Sequence, residues 1–61
     1  MKPKCKLVGT DGNIFNLLGV ARKALREADQ RELGEKITNR VYTAKSYDEA
    51  IQIIMEYVEV E

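Results

Sequence analysis

The sequence predicts an α+β domain in which three helices pack on one face of a small two-stranded sheet formed by the two termini. Three observations favour this β-α-α-α-β order. Polar and apolar residues alternate near both ends of the chain, as they do in half-buried strands. Between the ends, apolar residues recur at three- and four-residue spacing, as on the buried faces of helices. The length of 61 residues fits a single domain over residues 1–61.

The first strand is predicted at Lys4–Val8, where polar and apolar residues alternate. Cys5 and Leu7 would lie on its buried face, and Lys4 and Lys6 would lie on its exposed face. The segment at residues 9–13 that follows is rich in Gly, Asp and Asn, a composition typical of a turn.

The first helix is predicted to run from about Ile14 to Ala28, with Asn13 as its N-cap. A β-hairpin through Asp11-Gly12 is the alternative, because Asp-Gly favours such turns. The apolar spacing continues without a break across the whole segment, and this favours the helix. The predicted apolar face consists of Ile14, Leu17, Leu18, Ala21, Leu25 and Ala28.

Two further helices begin at sequence signals for N-terminal capping. Asp29 with Glu32 resembles a capping box and predicts a second helix that extends to about Ala44. Ser46 with Glu49 is a better capping box and opens the third helix. The second helix has a narrow apolar stripe of Leu33, Ile37 and Val41. The core face of the third helix is predicted to consist of Tyr47, Ala50, Ile51, Ile54 and either Met55 or Val58.

The last strand is predicted at Tyr57–Glu61, where the apolar period changes to two. Val58 and Val60 would join the apolar face of the first strand, and Glu59 and Glu61 would lie beside its lysines. The two termini would then pair in one sheet, in either parallel or antiparallel direction. The open edges of that sheet would be able to join the edges of a second subunit.

The composition excludes the commonest catalytic and metal sites. The chain has one cysteine and no histidine, so it can form neither an internal disulfide nor the usual zinc ligand sets. No histidine is present to activate Cys5, which is expected to act as a small buried hydrophobe. We therefore expect no catalytic activity, no cofactor and no bound metal ion. The single thiol and the lack of a long apolar run predict a cytoplasmic, soluble protein without a membrane span.

The turn at Gly9–Asn13 allows one alternative. It lies between a predicted strand and a predicted helix, where free backbone amides bind phosphate in many proteins. Its spacing matches neither the dinucleotide-binding fingerprint nor the phosphate-binding loop, and Asp11 would repel an anion. A tight turn with a helix cap is the simpler interpretation.

The charges are unevenly distributed along the chain. Residues 1–45 hold all ten basic residues and five acidic ones, whereas residues 46–61 hold five acidic residues and no basic one. The two parts either neutralise each other within the fold or form a dipolar surface for a charged partner or a head-to-tail dimer. The candidate basic patch for nucleic acid consists of Arg22, Lys23, Arg26, Lys36 and Arg40. The zero net charge argues against strong non-specific binding.

Two aromatic residues are candidate interface residues. Tyr42 lies off the apolar stripe of the second helix, and Tyr57 is expected on the outer face of the last strand. With the small size of the domain and its open strand edges, they predict a non-enzymatic protein-interaction or assembly module that binds itself or another protein. A nucleic-acid-binding accessory protein that uses the basic patch is the alternative.

Two parts of the sequence resemble small uncharacterised proteins of bacterial and phage or mobile-element genomes. The first is Val8–Phe15, which contains a Gly-x-Asp-Gly-Asn turn and precedes a helix rich in Ala and Arg at Ala21–Arg26. The second is the last helix, from Tyr47 to the terminal segment Tyr57–Glu61. The resemblance extends over most of the chain and is weakest in the predicted second helix. It implies an accessory role and no known activity, so no functional residue is carried over.

Overall fold

The computed structural model describes residues 2–6 and 12–60, and its elements follow the order β-α-α-α-β. They are β1 (Lys4–Cys5), α1 (Ile14–Glu27), α2 (Arg31–Tyr42), α3 (Tyr47–Tyr57) and β2 (Glu59–Val60). The predicted fold class is confirmed, because three helices pack with a two-stranded sheet formed by the termini. The second half of the predicted first strand and residues 9–11 of the predicted turn lie outside the described residues.

The two strands pair in parallel, with Lys4 beside Glu59 and Cys5 beside Val60. The backbone N–H of Glu59 also donates to the carbonyl of Pro3 at 2.8 Å. The pairing is therefore parallel, one of the two directions that the sequence left open. As predicted, Lys4 and Glu59 lie on the exposed side, and Cys5 and Val58 are buried. The predicted burial of Val60 is wrong, because its side chain is 40% exposed.

Helix α1 has defined caps at both ends. The Asn13 side-chain Oδ1 accepts a hydrogen bond from the backbone N–H of Phe15 at 2.8 Å, so the predicted N-cap is confirmed and the hairpin alternative is excluded. At the other end, Asp29 adopts the left-handed conformation with φ 61°. Its N–H donates to the carbonyl of Arg26 at 3.0 Å, and the N–H of Gln30 donates to Leu25 at 2.8 Å. These bonds define a Schellman motif.

The predicted start of α2 is wrong. Asp29 closes α1 and does not cap α2, because an N-cap residue has extended backbone and Asp29 is left-handed. The N-cap position is Gln30, which makes no side-chain capping bond there. Helix α2 also ends at Tyr42, before Ala44, where the N–H groups of Thr43 and Ala44 donate to the carbonyls three residues back, of Arg40 at 3.2 Å and Val41 at 3.1 Å.

The predicted start of α3 is confirmed. The hydroxyl oxygen of Ser46 accepts a hydrogen bond from the N–H of Glu49 at 3.1 Å. In return, the Glu49 carboxylate accepts from the N–H of Lys45 at 2.7 Å, one residue before the usual donor of a capping box. Two otherwise unpaired donors at the helix entrance are therefore satisfied.

The core lies between the three helices and the sheet. Its buried apolar residues are Cys5, Leu17, Leu18, Ala21, Leu25, Ile37, Val41, Ala50, Ile53, Ile54 and Val58. Tyr47 and Met55, which were candidates for the core face of α3, are about half exposed, at 50% and 49%. Ile53 is buried instead, because α3 turns its Ala50, Ile53 and Ile54 side toward the other elements. None of the helices in the described ranges is long and apolar enough to cross a bilayer.

Candidate functional site

Three exposed aromatic rings line one groove on the helical surface. Phe15 lies in the first turn of α1, Tyr42 is the last residue of α2, and Tyr47 is the first residue of α3. Their exposed fractions are 60%, 65% and 50%. The groove has a volume of about 530 Å³, and the buried residues Val41 and Ala50 also line it. We call this surface the aromatic groove.

Short contacts hold the rings of the aromatic groove in place. The ring centroids of Phe15 and Tyr42 are 5.8 Å apart, with an edge-to-face angle of 76° between the planes. The Tyr47 hydroxyl donates a hydrogen bond to the carbonyl of Gly12 at 2.7 Å. Gly12 has φ 80°, a conformation that favours glycine, and it leads directly into the N-cap of α1. The groove is therefore formed before any ligand arrives.

The aromatic groove is mainly apolar and carries positive charge at one place. Among the described residues that line it, Lys45 is the charged one. These described lining residues include no acid–base pair and no nucleophile placed beside a base. Its surface can bind apolar side chains and can favour an acidic group near Lys45.

A second depression lies between α1 and α2, and we call it the basic cleft. Its volume is about 450 Å³. The residues that line it are Gly19, Arg22, Lys23, Arg26, Arg31, Gly34 and Glu35. Four cations and one carboxylate therefore surround one concave surface.

The structure divides the candidate basic patch. Arg22, Lys23 and Arg26 line the basic cleft together, whereas Lys36 and Arg40 do not. Two hydrogen bonds join Arg40 to the Glu56 carboxylate, at 2.7 and 3.2 Å. These bonds, and then a weaker one to the Tyr57 hydroxyl, raise the pKa of the Arg40 guanidinium above its ordinary value. Arg40 is thus neutralised within the chain.

The two candidate interface tyrosines have different surroundings. Tyr42 lies in the aromatic groove. Tyr57 belongs to α3 and not to the last strand, and it is half-buried with its ring 5.7 Å from the Arg40 guanidinium carbon. Tyr57 therefore supports an internal contact between helices.

Sequence reasoning missed Phe15 and Tyr47 as members of the aromatic groove, and Arg31 as a member of the basic cleft. The sequence does carry a signal for Phe15, because an aromatic residue off the apolar face of the first helix is expected to be exposed. The sequence carries no such signal for Tyr47, because its spacing fits a core position. Arg31 reaches the cleft through the approach of α2 to α1, which no local pattern encodes.

The described residues contain no group of three or more Cys, Asp or Glu arranged to hold a metal ion. No protein-family model, curated protein sequence or solved structure matches this chain.

Proposed function

We propose that this chain is a non-enzymatic protein-interaction module whose binding surface is the aromatic groove. One observation carries the proposal. Three helices each supply one aromatic ring that is half exposed or more, and the three rings meet in one groove instead of packing into the core. Contiguous exposed apolar surface of this kind is typical of protein-binding sites.

The rings of the groove suit a protein ligand for physical reasons. Tyrosine and phenylalanine bury a large area for few rotatable bonds, and tyrosine adds a hydroxyl at the edge. The Phe15–Tyr42 contact and the Tyr47–Gly12 hydrogen bond fix the rings in advance. Little conformational entropy would then be lost on binding, which favours affinity.

The partner that fits is a protein segment with apolar side chains and an acidic residue nearby. The groove volume of about 530 Å³ accepts such side chains, and Lys45 supplies the charge that would attract the acid. The sheet edge is a poorer surface for assembly. Within the described part of the chain its strands have two residues each, and short edge strands offer few unpaired backbone groups.

The test compares affinity capture from cell lysate by the unmodified chain, the double variant Phe15→Ala/Tyr42→Ala and the control Met55→Ala. Met55 is a matched control because it is 49% exposed and lies outside the groove. We expect one partner to be captured by the unmodified chain and by the control, and to be lost with the double variant.

A second step measures the affinity of the identified partner for each variant by calorimetry. The double variant should bind at least about tenfold more weakly, since hot-spot aromatic residues contribute roughly 2 kcal/mol or more. Sedimentation over a range of concentrations shows whether the partner is a second copy of the chain. Equal binding by the double variant and the control would contradict the proposal.

A further inference from the structure

We propose that the basic cleft between α1 and α2 binds a ligand with two or more linked phosphate groups. The described residues that line the cleft differ from those that line the aromatic groove, so this inference does not depend on the protein-interaction function. The side chains assigned to the phosphates are Arg22, Lys23, Arg26 and Arg31.

The cations of the cleft have no partner among the described residues. None of their four side chains forms an ion pair or hydrogen bond with another described residue, although Glu35 lies in the same cleft. Arg40 differs, because Glu56 pairs with it at two points. The fold therefore neutralises a basic residue outside the cleft and leaves the concave cluster open to an external anion.

The arrangement of these cations lowers helix stability. Arg22 and Arg26 are like charges one turn apart on α1, and such pairs destabilise a helix. Arg31 is the first residue of α2, where the helix dipole disfavours a positive charge. Helix effects offset part of both costs, because Arg26 lies in the last turn of α1 and Glu35 follows Arg31 by one turn. A bound anion would compensate the remaining repulsion.

Two helix-interior glycines add a second kind of evidence. Gly19 of α1 and Gly34 of α2 both line the cleft, and an added Cβ on either would meet no described atom within 4 Å. Packing therefore does not require glycine at these positions, and glycine is less favourable than alanine inside a helix. Their absent side chains leave the cleft open down to the helix backbone, which allows a ligand to approach closely.

The lining of the cleft indicates the class of ligand. Guanidinium groups bind phosphate oxygens at two points, so three arginines and a lysine suit adjacent phosphates. The cleft volume of about 450 Å³ lies within the usual range of ligand sites, ~300–1,000 Å³. Among the described residues that line it none is aromatic, so the contacts would reach phosphates and not stacked bases.

Two probes distinguish the sources of linked phosphates. Inorganic tripolyphosphate represents a compact polyphosphate, and a short oligothymidylate represents a nucleic-acid backbone. Each is titrated into the ¹⁵N-labelled chain at low ionic strength, and the backbone amides of Gly19 and Gly34 should shift in NMR spectra. If a nucleic-acid backbone is the natural source of the phosphates, the oligonucleotide binds more tightly than tripolyphosphate. The slope of log K against log salt concentration should then be up to about −3 for four cations. If tripolyphosphate binds more tightly, a compact ligand is the source.

Matched variants test the assigned residues. Arg26→Gln and Lys36→Gln remove the same charge from exposed helical positions, but only Arg26 lines the cleft. We expect Arg26→Gln to weaken binding about tenfold, as for loss of a hydrogen bond to a charged group, and Lys36→Gln to weaken it less than about twofold. Gly19→Ala should raise the unfolding midpoint and also weaken binding, a combination that a purely structural glycine would not give.

The proposal is overturned if neither probe binds more tightly than about 1 mM, or if the shifted amides lie outside the cleft. It is equally overturned if Lys36→Gln weakens binding as much as Arg26→Gln, because the effect would then reflect net charge alone.

Discussion

The guanidinium of Arg40 and the carboxylate of Glu56 form a two-point ion pair that joins α2 to α3. Their atoms are 2.7 Å apart for Nη1–Oε1 and 3.2 Å apart for Nη2–Oε2. The Tyr57 ring lies below the same guanidinium, 5.7 Å away. Both charged side chains remain about half exposed, at 45% and 55%. At this contact the basic and the acidic parts of the chain neutralise each other.

This pair predicts a pH dependence of stability. The hydrogen bonds from Arg40 lower the pKa of Glu56 below its ordinary value of 4.5. Since the folded pKa is depressed, the stabilisation is present above 4.5 and is lost as the pH falls below that value. Glu56→Gln should therefore be less stable than the unmodified chain at neutral pH, and the difference should disappear in acid. Urea unfolding over a pH series measures it.

The control for this prediction is a double-mutant cycle with Arg40→Gln. The coupling energy between the two positions should decrease as the pH is lowered below 4.5. A coupling that stays constant from neutral pH to strong acid would show that the pair contributes nothing to the pH dependence.

Replacement of Asp29 by glycine should stabilise the fold. Asp29 closes α1 at φ 61°, a conformation that costs roughly 1–2 kcal/mol for residues with a Cβ and little for glycine. Because aspartate tolerates this region better than most residues, we expect a gain of about 0.5–1 kcal/mol in Asp29→Gly. The control Lys23→Gly places the same residue in the interior of α1 and should cost about 1 kcal/mol. Thermal unfolding of both variants checks the opposite signs.

Removal of the Ser46 cap should destabilise α3. Ser46→Ala deletes the acceptor for the Glu49 N–H and should cost about 1 kcal/mol of unfolding free energy. Ser46→Asp keeps an acceptor at the same place and should be close to the unmodified chain. A similar loss in both variants would show that the hydroxyl has another role.

The core of α3 should be sensitive to single methylene groups. Ile54 is fully buried, so Ile54→Val should cost about 0.5–1.5 kcal/mol. The neighbouring Met55 is half exposed, and Met55→Leu should change stability by less than about 0.5 kcal/mol. Equal effects at the two positions in chemical denaturation would contradict the burial of this helix face.

Local sequence chemistry predicts most of this fold because each element has its own period and its own signal. Strand alternation near Cys5, and the capping residues Asn13 and Ser46, act over a few residues. Asp29 shows the limit. Aspartate suits both an N-cap and a left-handed C-terminal position, and the choice depends on how α1 ends.

The candidate surfaces were less predictable, since they depend on contacts between elements. Arg40 has the same local character as Arg26, but a carboxylate sixteen positions away neutralises only Arg40. Tyr47 has the spacing of a core residue, but it turns outward to bond Gly12. Both outcomes follow from the relative placement of helices, which hydrophobic periodicity does not specify.

The parallel pairing of β1 with β2 has a mechanical consequence. Tension applied through the chain before Lys4 and after Val60 would pull the two strands in opposite directions along their axes. Their hydrogen bonds would then be strained together in shear, and they could not open one after another as in a hairpin pulled from its ends. This small sheet therefore resists stretching of the chain, and its strands should separate before the three helices do.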